Sequence, residues 1–170
     1  MTRANTVSYI EHEKHPQWMP AVWAGLIAGI VFVMAEMLLI VLAGTGSAWG
    51  PPRMMAAILM GENVLPPPAT FDLGIVMVGM MIHFVLSIIY AFVLGFLILR
   101  MDLKGALALG AVFGLALYLI NFYVFTAAFP WFAMARGWIT IVAHLIFGLV
   151  LAWSYKALVH QRAGQHVRAR

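Results

Sequence analysis

Long apolar stretches, separated by short polar segments, dominate the chain. Four of them, at about 21–43, 73–99, 105–127 and 137–159, reach the length of about 20 residues that a helix needs to cross a bilayer. A single helix satisfies its own backbone hydrogen bonds in hydrocarbon, whereas an open strand does not. The pattern therefore predicts an all-α, polytopic membrane protein, with a four-transmembrane-helix bundle over residues 21–159.

The loops between these spans carry further signals. Pro51 and Pro52 suit the first turn of a helix, and Gly61 suits its end. This segment is too short to span a bilayer, so the sequence predicts a short interfacial helix at about 52–61 in the first outer loop. The second and third spans are joined only by the short link 100–104, which predicts that they form a tight antiparallel pair.

Composition supports the same class of protein. The chain is 64% hydrophobic and 9% charged, whereas an average soluble domain carries roughly 25% charged residues. A soluble globular domain and a disordered chain are both excluded. Cysteine is absent, which excludes disulfides and thiolate chemistry. No basic run with interleaved aromatic residues indicates a nucleic-acid partner, so the expected partner is the lipid bilayer.

The distribution of Lys and Arg predicts the orientation. With four spans, eight of the ten basic residues lie on one side of the membrane. These are Arg3, Lys14, Arg100, Lys104, Lys156, Arg162, Arg168 and Arg170, and the other side holds Arg53 and Arg136. Because basic residues concentrate on the cytoplasmic side, we expect a cytoplasmic N-terminal tail (1–20) and a cytoplasmic basic C-terminal tail (160–170).

A repeated spacing relates the two halves of the chain. The first span carries Ala21, Gly25, Gly29 and Glu36, and the third span carries Ala106, Gly110, Gly114 and Asn121 at the same intervals. The second and fourth spans share a weaker pattern, with Gly79, His83 and Ser87 in one and Thr140, His144 and Gly148 in the other. This suggests a duplicated helical hairpin. The alternative is a chance match, because Gly and Ala are common throughout the chain.

The small residues of this repeat form two stripes that allow helix backbones to approach closely. The stripes are Ala21, Gly25 and Gly29 in the first span, and Ala106, Gly110 and Gly114 in the third. One interpretation is packing within the bundle, which directs Glu36 and Asn121 inward. The other is that the stripes face partner helices in a homo-oligomer or a larger membrane complex.

Each span contributes one strongly polar residue to the outer half of the bilayer. At about 1.5 Å per residue, Glu36 and His144 lie about 10 Å from the outer ends of their spans, His83 about 15 Å and Asn121 about 9 Å. An ionisable group at such a depth costs about 2.5–3.5 kcal/mol on insertion scales. Glu36, His83, Asn121 and His144 therefore form the candidate ion, proton or ligand site. The supporting residues are Ser87, Tyr90 and Thr140.

Several uses of this layer remain open. Glu36, His83 and His144 are plausible ligands for zinc or another first-row metal ion. The two histidines could instead hold a non-covalent haem b as axial ligands. A Glu–His pair is also typical of proton relays, with Ser87 and Tyr90 extending a polar track. A purely structural network that fixes helix register is the alternative to all three.

Enzymatic activity is not expected, because Ser87 and His83 lack an orienting carboxylate. The leading hypothesis is a protein that handles a small ion or solute, either a proton or a metal cation. The alternative is a haem b protein, or an accessory or assembly subunit of a larger membrane complex.

Three motifs connect the chain to known sequences: Gly50–Gly61, Leu65–Asp72 and His83–Tyr90. With these motifs the chain resembles a group of short bacterial four-helix inner-membrane proteins, some of which carry a sodium/proline symporter label. It is more distantly similar to the YagU-like inner-membrane family, through the second-span histidine helix and the last helix with His144. The resemblance implies a multi-pass protein of the bacterial inner (plasma) membrane.

Overall fold

The computed structural model describes residues 17–168, and the side chains of residues 17–162. In this part of the chain every regular element is helical. The main helices are α1 (Trp18–Ala43), α2 (Gly50–Met60), α3 (Leu73–Leu97), α4 (Leu103–Leu119) and α5 (Trp138–Arg168). Most of the predicted N-terminal tail, together with residues 169–170, lies outside the described residues.

Four helical segments are long and apolar enough to cross a membrane: α1, α3, α4 continued to Ala127, and α5 up to Arg162. They confirm the predicted four-helix bundle, and the chain is a multi-pass integral membrane protein. The short helix predicted at 52–61 forms as α2. We call the end of the bundle that carries α2 the cap end, and the end that carries the 98–102 link the terminal end.

The helices pack in the spatial order α3–α1–α5–α4. Helix α5 contacts both α1 and α4, and α1 also contacts α3, whereas α3 and α4 barely touch. The prediction that the second and third spans form a tight pair is therefore wrong. A short link fixes the distance between two helices only at one end, and the small residues that allow close contact along their length lie elsewhere.

Glycines determine which helices come into close contact. Gly25 of α1 lies against the backbone of Ser87 and Ile88 in α3. Gly110 of α4 lies against the backbone of Gly148 in α5. At these crossings even an added methyl group meets backbone atoms of the neighbouring helix. Because burial of apolar surface does not drive helix association in lipid, the close packing that these small residues permit holds the helices together.

Both small-residue stripes are buried by contacts within the chain itself. Ala21 and Ala106 are fully buried, and the glycines of both stripes are buried as well. The hypothesis that these stripes dock partner helices is therefore wrong, because the chain's own α3 and α5 cover them. An oligomer or a larger complex would have to use another surface.

The two helix pairs pack in the same register. Gly25 meets Ser87 in the first pair, and Gly110 meets Gly148 at the equivalent position in the second. One turn further along, Gly29 approaches Phe84, while Gly114 approaches the equivalent Leu145. This agreement is what a duplicated hairpin requires. The symmetry is broken between the pairs, because α1 packs on α5 while the corresponding α3–α4 seam is open.

Helix α2 is held firmly over the cap end. Gly79 of α3 meets the Pro52 carbonyl so closely that no side chain fits between them. Arg53 is only 7% exposed, and its guanidinium donates to the carbonyls of Thr70 and Val64 at 2.9 and 3.1 Å. The Trp131 indole N–H donates to the Met54 carbonyl at 3.0 Å. Helix α2 is therefore fixed to both outer loops.

The third span departs from the expected regular helix over 105–127. Regular α-helix ends at Leu119, and a π-helical segment (Ile120–Val124) and a 3₁₀ turn (Phe125–Ala127) follow. Such wide turns leave carbonyls without their usual helical donor. The Arg136 Nε–H donates to the Phe122 carbonyl at 2.7 Å and compensates for one of them. The change in helical pitch occurs where the chain places Asn121.

We predict that Gly114→Ala destabilises the protein by about 1–3 kcal/mol, as overpacking of a tight contact does. The new methyl group meets the carbonyl of His144 and forces α4 away from α5. The measurement is thermal unfolding in a mild detergent. Gly137→Ala is the control, because no atom lies within 4 Å of the added carbon. An unchanged melting temperature for Gly114→Ala would show that the two helices separate without cost.

Candidate functional site

All four predicted site residues line one cavity inside the bundle. Its volume is about 760 Å³, and it receives Glu36 from α1, His83 from α3, Asn121 from the π-helical segment and His144 from α5. The supporting residues also line it: Ser87, Tyr90 and Thr140. The structure thus brings together the residues that depth alone placed in one layer.

The cavity extends from the middle of the bundle to the cap end. Its deepest lining residue along α3 is Tyr90, about 25 Å from the start of that helix at 1.5 Å per residue. At the other extreme it is lined by Ser47 and Ala69 of the first outer loop, and by Arg136 of the second. Its sides are formed by α1, α3 and α5 together with the π-helical segment.

A chain of hydrogen bonds crosses the cavity wall from α3 to α5. The Tyr90 hydroxyl donates to Asn121 Oδ1 at 3.4 Å, and Asn121 Nδ2 donates to His144 Nε2 at 3.3 Å. His144 Nδ1 in turn donates to the Thr140 carbonyl at 2.8 Å. Because a carbonyl only accepts, His144 carries its proton on Nδ1 and is a neutral acceptor at Nε2. Each link in the chain thus has a matched donor and acceptor.

His83 is bound to the first helix instead of to this network. Its Nε2–H donates to the Gly29 carbonyl at 3.0 Å, which joins α3 to α1 at the small-residue stripe. Ser87 donates to the His83 carbonyl at 2.8 Å, so its hydroxyl is satisfied within its own helix. His83 therefore carries a proton on Nε2, whereas His144 carries its proton on Nδ1.

Phe32 is a site residue that the sequence analysis did not identify. Its ring stacks on His83 at a centroid distance of 5.4 Å and meets His144 edge-on at 4.9 Å. It lies one turn from Glu36, on the same face of α1 as Gly29, so its helical spacing was a usable signal. In a chain this rich in aromatic residues, however, the spacing alone did not distinguish it.

Glu36 stands apart from the polar network. The residue is only 8% exposed, yet it makes no hydrogen bond or ion pair with any of the described residues. Its neighbours in the cavity wall include Val33, Met37 and Ile40 on its own helix. A buried carboxyl group in apolar surroundings, open to a cavity and without a protein partner, is the least compensated polar group of the site.

The predicted metal site is not formed in the described part of the chain. No three His, Asp or Glu side chains there come close enough to hold a metal ion together, and this includes Glu36, His83 and His144. The geometry is also unfavourable for a bis-histidine haem. Both ring nitrogens of His144 are already engaged, with Thr140 and Asn121. Ligation of haem would require the bond to Asn121 to break.

No family model, curated protein or solved structure matches the chain. The class of the protein follows from its architecture. It is a multi-pass integral membrane protein whose four spans surround a cavity lined by a buried carboxyl group, two imidazoles and an amide.

We predict that Asn121→Leu costs about 1–3 kcal/mol, because it leaves both Tyr90 and His144 without their partner. Tyr90→Phe removes only the outermost bond, and such bonds average about 0.6 kcal/mol in membranes. The measurement is unfolding of both variants in the same detergent. If Tyr90→Phe were as damaging as Asn121→Leu, the order of donors in the network would be wrong.

Proposed function

We propose that this protein handles a small ion or solute, which enters the bundle from the cap end and is held in the polar layer. The Glu36 carboxylate pairs with the charge of the bound ion or solute, and His83, Asn121 and His144 line the space around it. The observation that carries the proposal is the cavity, which joins all four of these residues to the outer loops.

The size and lining of the cavity support binding of a small molecule. Ligand sites in proteins typically measure about 300–1,000 Å³ and are mostly apolar, with a few fixed polar groups. The cavity volume of about 760 Å³ lies within this range. A bundle built only for stability has little use for such a void, because an unfilled cavity costs packing energy.

The hydrogen-bond network favours solute binding over a proton relay. A relay needs each member to accept and release a proton in turn. Asn121 interrupts the path between Tyr90 and His144 with an amide, which does not change its protonation state. Ser87 is bound to a backbone carbonyl and does not continue the track to Tyr90.

We further propose that the protein resides in a bacterial inner membrane with both termini in the cytoplasm. The distribution of basic residues supports this orientation, and the sequence resemblance supports the location. Arg53 and Arg136, the two basic residues at the cap end, are both engaged by backbone carbonyls. The cavity then opens towards the periplasm.

Cysteine accessibility tests this function, since the chain has no cysteine of its own. We predict that Met37→Cys, which lines the cavity, reacts with a charged, membrane-impermeant maleimide added to the cap side of sealed vesicles. Leu38→Cys is the matched control. It lies at the same depth but is 57% exposed on the outer surface of the bundle, where lipid excludes the reagent.

Two results would contradict the proposal. One is a Met37→Cys rate no higher than that of Leu38→Cys, because a cargo cavity must be reachable by water. The other is labelling of Met37→Cys only from the terminal side, which would reverse the direction of entry. Folding of each variant is checked by the elution profile and the helical circular dichroism of the purified protein.

A further inference from the structure

We infer that the cargo of the cavity is an amphipathic organic cation, whose charge pairs with the Glu36 carboxylate while its apolar part lies against the aromatic lining. The inference rests on the proposed function and specifies the chemical class of the solute. It follows from three features of the cavity: a carboxyl group without a described partner, a deep part lined by no described Lys or Arg, and aromatic walls.

Glu36 provides the electrostatic part of the argument. A charged carboxylate in a low-dielectric interior needs a counter-ion or several hydrogen-bond donors. The described residues give Glu36 neither, and the residue is more than nine-tenths buried at the edge of an open space. A cation that enters this space supplies the counter-ion that no described residue provides.

The other charged groups do not compete for Glu36. Arg136 is the one Arg or Lys among the described residues that line the cavity, and it lies at the cap-end rim. Its guanidinium donates to the Phe122 carbonyl and rests over the Tyr123 ring, 4.3 Å from the centroid. Arg53 donates to the Thr70 carbonyl in the first outer loop and does not line the cavity. The deep part of the cavity is therefore lined by one carboxyl group and by no described Lys or Arg.

The cavity walls favour an organic cation over a metal ion. Aromatic faces attract cations within about 6 Å and also accept apolar groups. The aromatic residues that line the cavity include Phe32, Tyr90, Phe122, Phe129, Phe132 and Phe147. Hard metal ions need a shell of several oxygen ligands, and first-row metals need two or more nitrogen, oxygen or sulfur donors in a fixed geometry. Among the described residues no three His, Asp or Glu side chains come together, so the cavity does not present the ligand set of a metal ion.

The test compares probes of similar shape and different charge. Purified protein in an uncharged detergent is titrated with tetraphenylphosphonium, with tetraphenylborate, and with neutral triphenylphosphine oxide. Trp138 lines the cavity and provides a fluorescence signal. We expect the cation to bind at least tenfold more tightly than the neutral compound, and the borate to bind most weakly. Bound tetraphenylphosphonium should also slow maleimide labelling of Met37→Cys.

The variants locate the source of this preference. Glu36→Gln should weaken tetraphenylphosphonium binding at least tenfold and leave the neutral compound unaffected. Glu62→Gln is the matched control, because Glu62 is an exposed carboxylate at the cap end outside the cavity. Phe32→Leu should weaken cation binding a few-fold, since it removes a π face while keeping an apolar side chain.

Equal affinity for the cation and the borate would overturn the inference, as would full cation affinity in Glu36→Gln. The comparison of probes on the unmodified protein is decisive even if Glu36→Gln does not fold. The proposed function is judged separately. A cavity that is accessible from the cap side but shows no charge preference retains the function and refutes the cation, whereas an inaccessible cavity refutes both.

Discussion

The close approach of helix backbones at glycine is the contact on which the architecture depends. Lipid tails are as apolar as the side chains that face them, so burial of apolar surface does not drive these helices together. Association depends on packing, and Gly25 against α3 and Gly114 against α5 bring neighbouring backbones together without a side chain between them. Each of these contacts forms within one sequence-adjacent hairpin. The α1–α5 seam then joins the hairpins into one body.

The cavity is a consequence of this arrangement. Two similar hairpins that met symmetrically would close two equivalent seams, but here the α1–α5 seam is closed and the α3–α4 seam is open. Across the resulting gap, contact is made by the hydrogen bond from Tyr90 to Asn121. The π-helical turns at Ile120–Val124 contribute to the same arrangement. They place the Asn121 backbone at a position that a regular continuation of α4 would not reach. The polar layer and the space beside it therefore have one origin.

The sequence was sufficient to predict the spans, α2 and the layer of Glu36, His83, Asn121 and His144, because length, helix signals and depth are local properties. It did not predict which helices touch. A short link between the second and third spans suggested a pair that the structure does not form, because contact depends on the shapes of whole helix faces. It also did not identify Phe32, whose importance arises from two imidazoles on other helices. The metal-site hypothesis assumed that residues at the same depth in the membrane lie close together, whereas coordination requires ligand atoms within a few ångströms of the ion.

The two halves of the chain use equivalent positions differently, and this difference gives the site its polarity. At the position shared by Glu36 and Asn121, one half has an amide that binds neighbours on two other helices, while the other half has a carboxyl group that binds no described residue. The histidines diverge in the same way. His144 completes the network, whereas His83 fastens α3 to the stripe of α1. One half has thus become a rigid wall, whose geometry is fixed by complete donor–acceptor pairing. The other half leaves its acidic group available to whatever enters the space between them.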